Sequence, residues 1–198
     1  MIDAKSEKIR NYPRWIKELY EWTEMLTASV IIVAVIFTFF FRIVAVDGDS
    51  MTNTLHNEDR VIITHLLYTP EVGDIVVISR SDVYESSSSQ SKAPLIKRIV
   101  AVGGDVVYID FEVGTVYVNG KPSKTEKYTR DGKTFQRGDI EFPPEGLKVP
   151  EGHVFVLGDN RNDSTDSRFK SVGMVPEDQI IGKAVLRIFP ISSFGILE

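Results

Sequence analysis

The sequence predicts a mainly β, antiparallel domain held behind a single N-terminal transmembrane helix. Three observations carry this. One uncharged apolar run, Met25–Phe41, stands near the N-terminus. After it come short runs rich in Val, Ile, Tyr and Phe, punctuated by Gly, Asp and Pro, which is the pattern of strands. No later segment sustains the 3.6-residue apolar period of a helix. The chain has 198 residues, 42% hydrophobic and 26% charged, enough for one folded domain plus a segment. Its net charge of −5 gives no electrostatic footprint for nucleic acid. The absence of Cys excludes a thiol nucleophile, a disulfide framework and a Cys-ligated metal.

The N-terminal element comes first. Met25–Phe41 is 17 residues without charge, Pro or Gly, and Ile43–Val46 continue it after Arg42. At about 1.5 Å per residue the run falls slightly short of a ~30 Å hydrocarbon core. The extra apolar turn, with Arg42 snorkelling to the headgroups, makes up the difference. Residues 24–45 are therefore read as the span, residues 1–23 as a cytoplasmic segment and residues 46–198 as a domain on the outer side. A cleavable signal peptide would carry a shorter apolar region nearer the terminus. A helix apolar all round is rare in a domain this small. Lys5, Lys8, Arg10, Arg14 and Lys17 precede the run, which places the N-terminus inside, and Trp15 and Trp22 suit an interface belt on that side.

The strands follow in order: residues 59–67, 73–79, 95–102, 105–110, 114–120, 152–159 and 182–189. Short strands at this spacing indicate a barrel-like or sandwich domain. Residues 81–94 are Ser-rich and read as a solvated loop. Residues 121–150 are polar and hold four of the nine prolines, so residues 106–150 are read as a smaller, variable β insert. The C-terminal segment after Arg187 is too short and too broken by Pro190 for a second span.

Ser50 stands in "GDSMTNTL", just past the apolar run, and is either a nucleophile or a turn residue. A Ser nucleophile needs a base, because its hydroxyl is weak at neutral pH. His56, His65 and His153 are the only histidines, and each sits where a surface or strand-edge residue would. Lys97 is the other candidate. On a strand it shares a face with Leu95, Ile99 and Ala101, where desolvation would favour its neutral amine, although a Lys that snorkels from a strand edge fits the same position. Arg98 cannot serve as a base, since guanidinium does not deprotonate in proteins. In "VFVLGDNRNDSTDSR" (154–168) a strand runs into a loop dense with Asp, Asn, Ser and Arg, whose alternating signs indicate a hydrogen-bond network. A Ca²⁺ loop would not place Arg161 at a ligand position.

Four blocks in this order, "GDSMTNTL" (48–55), "GDIVVI" (73–78), "LIKRIVAVGGD" (95–105) and "VFVLGDNRNDSTDSR" (154–168), resemble the bacterial type I signal peptidases. These are membrane-bound Ser/Lys proteases, and the single-span Gram-positive type is the nearer likeness. The resemblance covers nearly the whole chain from residue 25, apart from the inserts at 81–94 and 121–150. It implies the family's mostly antiparallel fold, a catalytic core with a variable second domain. It makes Ser50 the nucleophile and Lys97 the general base. Ser164 would hydrogen-bond and orient Lys97. Asp166 and Arg168 would brace the loop, with Asp159 and Arg161 in its frame. Gly48 would belong to the oxyanion region and Met51 would line the site.

The resemblance implies no metal and no organic cofactor. Its implied partners are the signal peptides of secreted preproteins and the lipid bilayer of the plasma membrane, not nucleic acid, with the secretion translocon as a further candidate. Ser50 lies eight residues past Arg42, so at most about 28 Å of extended chain separates them and the site would sit at the membrane surface. Two departures stand out. Asn53 occupies a position where the family usually has Pro, and Gly48 one where some members have Ser. Two other readings are a dead relative acting as an anchored binding protein, and a self-cleaving Ser/Lys domain of the SOS-repressor kind. Retention of Ser50 and Lys97 opposes the first, and the apolar N-terminal run opposes the second.

Overall fold

The structure is a computed structural model that describes residues 13–65, 68–79 and 94–197. The basic residues Lys5, Lys8 and Arg10, and residues 81–93 of the Ser-rich stretch, lie outside the described residues. The chain divides into two units, residues 1–41 and 42–198.

In the first unit, helix α1 runs Arg14–Phe40. Pro13 precedes it with φ −53°, a value that leads into the helix at no cost in a lost donor. Met25, Leu26, Val30, Ile31, Ile32, Val33, Val35 and Phe37 are all exposed, so the helix does not behave as a core element. Among the described residues, no helix is long and apolar enough to cross a membrane. The helix also differs from the sequence reading at both ends. It begins at Arg14 and stops at Phe40, where Phe41 turns extended at φ −128°, ψ 139°. An apolar run carries no period that tells helix from strand. The β-branched and aromatic residues of Phe41–Ala45 take the strand, β1.

The second unit continues with β2 (Arg60–Thr64), β3 (Ile75–Ile78), β4 (Leu95–Val102), β5 (Val106–Asp110), β6 (Thr115–Val118), β7 (Lys121–Pro122), β8 (Leu147–Lys148), β9 (His153–Leu157), β10 (Val175–Pro176), β11 (Ile180–Phe189) and β12 (Gly195–Ile196). A 3₁₀ turn, Lys124–Tyr128, follows β7, and its Ser123 cap accepts from the Thr125 N–H. The larger sheet has the order β1-β2-β11-β3-β4-β9-β10, with β12 on β11, and the smaller one the order β7-β6-β5-β8. The pairings β2–β11, β11–β3, β3–β4 and β4–β9 are antiparallel.

The central strands are covered on both faces, which explains their continuous apolar sequences. Every residue of β3 is buried. On one side Met51 and Leu55 pack with Val61, Ile63, Val77 and Ile96. Val76, Ile78, Ile99, Val154 and Val156 form a second cluster. A third joins Val100 and Ala101 of β4 to Val107 and Ile109 of β5 and to Phe155, tying the insert sheet to the core. Each such side chain, fully buried, contributes about 1.5–3 kcal/mol. The register of β4 against β9 shifts between Ile99 and Ala101. That irregularity breaks the expected alternation: Ile99 joins one cluster and Ala101 another.

Candidate active site

The turn after β1 presents Ser50. Its geometry is local: the Thr52 N–H donates to the Asp49 carbonyl at 3.1 Å, and the Leu55 N–H to the Met51 carbonyl at 2.9 Å. Met51 and Leu55, 1% and 0% exposed, drive the turn into the core and leave Ser50 facing outward. Met51 is thus an anchor beneath the site and does not line it, contrary to the sequence reading. The reason is simple: a long apolar side chain gains more from the core cluster of Val61 and Ile63 than from a solvated cleft.

Lys97 reaches the turn from the middle of β4. Its Nζ donates to Ser50 Oγ at 2.7 Å and to the Ile96 carbonyl at 2.9 Å. Lys97 is 2% exposed, so its side chain is buried as it reaches Ser50. Ser50, Lys97, Gly48 and Ser164 line one open cleft of about 380 Å³, with Leu95 and Phe169 as apolar wall and Asp47, Asp49, Asp163 and Arg137 at the rim. None of the three histidines lines it. Among the described residues, no group of three His or carboxylate side chains is placed to hold a metal ion.

The loop after β9 closes the cleft. Gly158 is the joint: a Cβ there would overlap the Ser50 carbonyl oxygen and the Ser164 hydroxyl. The amide two residues on matters as much. Asn160 N–H donates to the Ser50 carbonyl at 3.0 Å, and its side-chain Nδ2 to the Asp49 carbonyl at 3.0 Å. Asp166 and Arg168, both 0% exposed, form a two-pronged pair at 2.8 and 2.9 Å, and Asp166 also accepts from the Gly158 N–H at 3.1 Å. Asp159 and Arg161 do not pair with each other. Asp159 is held by Arg98, at 2.9 and 2.8 Å, and Arg161 by Glu126 at 2.7 Å and Thr134 at 3.0 Å.

One sequence expectation changes here. Ser164 Oγ is buried with no hydrogen-bond partner, so it does not bond Lys97. The Lys97 amine is directed instead at Ser50 and the Ile96 carbonyl. Gly48 lines the cleft beside Ser50, as the sequence reading placed it; its N–H donates to Asn57 Oδ1 at 2.9 Å, and it sits at φ +88°, a conformation that suits Gly. Gly158 and Asn160, within a block whose charged residues drew attention, were missed. The signal that could have found them is the Gly-Asp-Asn sequence closing the apolar run Val154–Leu157, a place where a backbone must turn close to another.

The family model for signal peptidase, peptidase S26, matches residues 19–189. The chain belongs to that family. Signal peptidase I of Leptolyngbya laminosa is 34% identical over 93% of this chain and 87% of its own length. Signal peptidase I S of Bacillus subtilis is 33% identical over 88% of this chain and 91% of its own length. A crystal structure of a signal peptidase I from Enterococcus faecalis shows 27% identity over 59% of this chain and 97% of that chain, with a TM-score of 0.38. Within the signal peptidase family's usual Ser-Met-x-Pro segment, Asn53 takes φ +115° here. Proline is locked near −65°, so this turn has a backbone that the family's usual residue could not adopt.

Proposed function

We propose that this chain is a membrane-anchored serine endopeptidase that removes signal peptides from exported preproteins through Ser50 and Lys97. The carrying observation is the 2.7 Å contact between Lys97 Nζ and Ser50 Oγ at the edge of an open cleft, with Lys97 buried. With the amine neutral, the Ser50 hydroxyl donates to the nitrogen lone pair, and Oγ attacks the scissile carbonyl carbon as its proton passes to Lys97. The tetrahedral intermediate collapses, the Lys97 ammonium protonates the departing amine, and an ester to Ser50 remains. Water resolves that ester with Lys97 again as base. The Ser50 backbone N–H is the oxyanion donor of this reading, since Asn57 engages the Gly48 N–H. Ser164, unpartnered on the same wall, is available to the amine once the proton has moved.

Leu95 and Phe169 give the cleft an apolar wall suited to the small residues at positions −1 and −3 of a signal peptide, bound as an extended strand. Helix α1 is the anchor in this reading. It is supported by the uncharged run Met25–Phe41 and by the exposure of Met25, Leu26, Val30 and Val33. The N-terminus is cytoplasmic and the catalytic domain external, as the basic residues before the run suggest. A preprotein-processing assay tests the dyad. Ser50→Ala, Lys97→Ala and the charge-keeping Lys97→Arg should each lower the rate by about 10³ or more while leaving the thermal midpoint near wild type. Near-normal processing by Lys97→Arg would show that Lys97 is not the base.

A further inference from the structure

The insert that the family blocks do not cover reaches back to the nucleophile turn. Asn53 Nδ2 donates to the Tyr128 carbonyl at 3.0 Å, a bond joining residues 75 apart in sequence. The Tyr128 ring lies under the Arg98 guanidinium, 3.6 Å from its Cζ to the ring centroid. Arg98 forks onto Asp159 at 2.9 and 2.8 Å and touches Thr54 Oγ1 at 3.2 Å. Thr54 Oγ1 donates in turn to Asp159 Oδ2, and the Arg130 N–H, two residues past Tyr128, donates to the Asp159 carbonyl at 3.0 Å. The contacts close a ring: Asn53, Tyr128, Arg98, Asp159, Thr54.

Each half of the dyad adjoins this ring. Lys97 is the strand neighbour of Arg98, and Ser50 shares a single turn with Asn53 and Thr54. The spacing between Ser50 Oγ and Lys97 Nζ depends on where that turn sits against β4, and the ring ties those two elements together. Asn53 holds its place at φ +115°, a conformation an L residue rarely adopts unless a contact secures it.

We propose that the 3₁₀ segment Lys124–Tyr128 of the insert is a brace for the nucleophile turn, with Asn53 and Tyr128 as positioning residues that keep Ser50 in line with Lys97. The inference rests on the Ser50/Lys97 reading above. It is tested on the full-length protein in detergent micelles, cleaving a preprotein with Ala at positions −3 and −1. Asn53→Gly keeps the backbone conformation and deletes the tether. Its kcat should fall about 5-fold with KM within about 2-fold and an unchanged or higher thermal midpoint. Tyr128→Ala should lower kcat by about 10-fold or more, and Tyr128→Phe should restore it, because the ring and the carbonyl both remain. The double variant Asn53→Gly/Tyr128→Ala should be no more than about 2-fold below Tyr128→Ala, since both act through one ring.

Losses confined to KM, losses that multiply in the double variant, or wild-type kcat with only a lowered thermal midpoint would each overturn the brace. Ser50→Ala in the same assay separates the two readings. Cleavage by Ser50→Ala within about 10-fold of wild type would sink the functional assignment. A dead Ser50→Ala beside fully active Asn53→Gly and Tyr128→Ala would sink the brace alone.

Discussion

Gly158 shows how finely single atoms set this site. Its missing Cβ is the space into which the Ser50 carbonyl and the Ser164 hydroxyl fit. Gly158→Ala should therefore push the nucleophile turn away from the loop, and a displacement near 1 Å at a reacting atom costs about 10² in rate. Steady-state processing should show that loss in kcat, and wild-type kcat would mean the turn relaxes without moving Ser50. The adjacent buried basic residues Lys97 and Arg98 divide the labour by chemistry. Arg98 cannot shed its proton, so burial obliges it to find a carboxylate, and Asp159 supplies it at 1% exposure. Asp159→Asn removes the carboxylate onto which that cation forks and should destabilise the fold by about 3–5 kcal/mol, read from denaturant unfolding. Ser50 and Lys97 stood out locally only as candidates, a Ser after a Gly-Asp turn and a Lys among apolar residues, and the order of the four family blocks is what assigned their roles. Asn160 and Gly158 leave only the weaker signal of a Gly-Asp-Asn closing a strand. Their importance lies in two carbonyls of a turn over a hundred residues away, which no local pattern reports.

At the scale of elements, all seven runs read as strands contain strands: β3, β4 and β9 bury both faces and read as continuous apolar stretches, while β2 and β5 alternate. What escaped was short or hidden. β7, β8, β10 and β12 are two residues each, held by pairing with neighbours and not by their own composition. β1 was hidden inside the apolar run, where periodicity carries no information. One element carries a pH signature. Between β2 and β3, Tyr68 donates to Asp74 Oδ2 at 2.7 Å, and Lys183 of β11 holds the other carboxylate oxygen at 2.6 Å. Burial first, and the Asp74 carboxylate second, push the Tyr68 hydroxyl well above its ordinary range. In the unfolded chain Tyr68 ionises near 10, while the folded chain keeps the proton. Its stabilisation is thus complete below about pH 10 and is lost as pH rises beyond it. Tyr68→Phe should be less stable at pH 8 by about 1 kcal/mol, the worth of one hydrogen bond. The gap between the two proteins should narrow through pH 11 in denaturant titrations. A gap that stays constant over that range would remove Tyr68 from the linkage.

For the whole molecule, the division at Phe41/Arg42 separates two kinds of surface. Among the described residues, 42–198 contain the dyad, the Asn53–Asp159 ring and three core clusters. Helix α1 instead exposes Met25, Leu26, Val30 and Ile31. A chain of residues 42–198 should therefore fold with a single cooperative melt and cleave a short soluble peptide with kcat/KM within about 3-fold of the full chain. Its processing of a preprotein embedded in vesicles should fall far more, by about 10²-fold or beyond. An anchor confines enzyme and substrate to one surface and replaces a bulk encounter with a high effective concentration. Flotation completes the test: the full chain should rise with vesicles, and residues 42–198 should remain largely in solution. Equal flotation would move the membrane contact to the β domain, whereas loss of peptide cleavage on truncation would show that the catalytic unit needs its helix to fold.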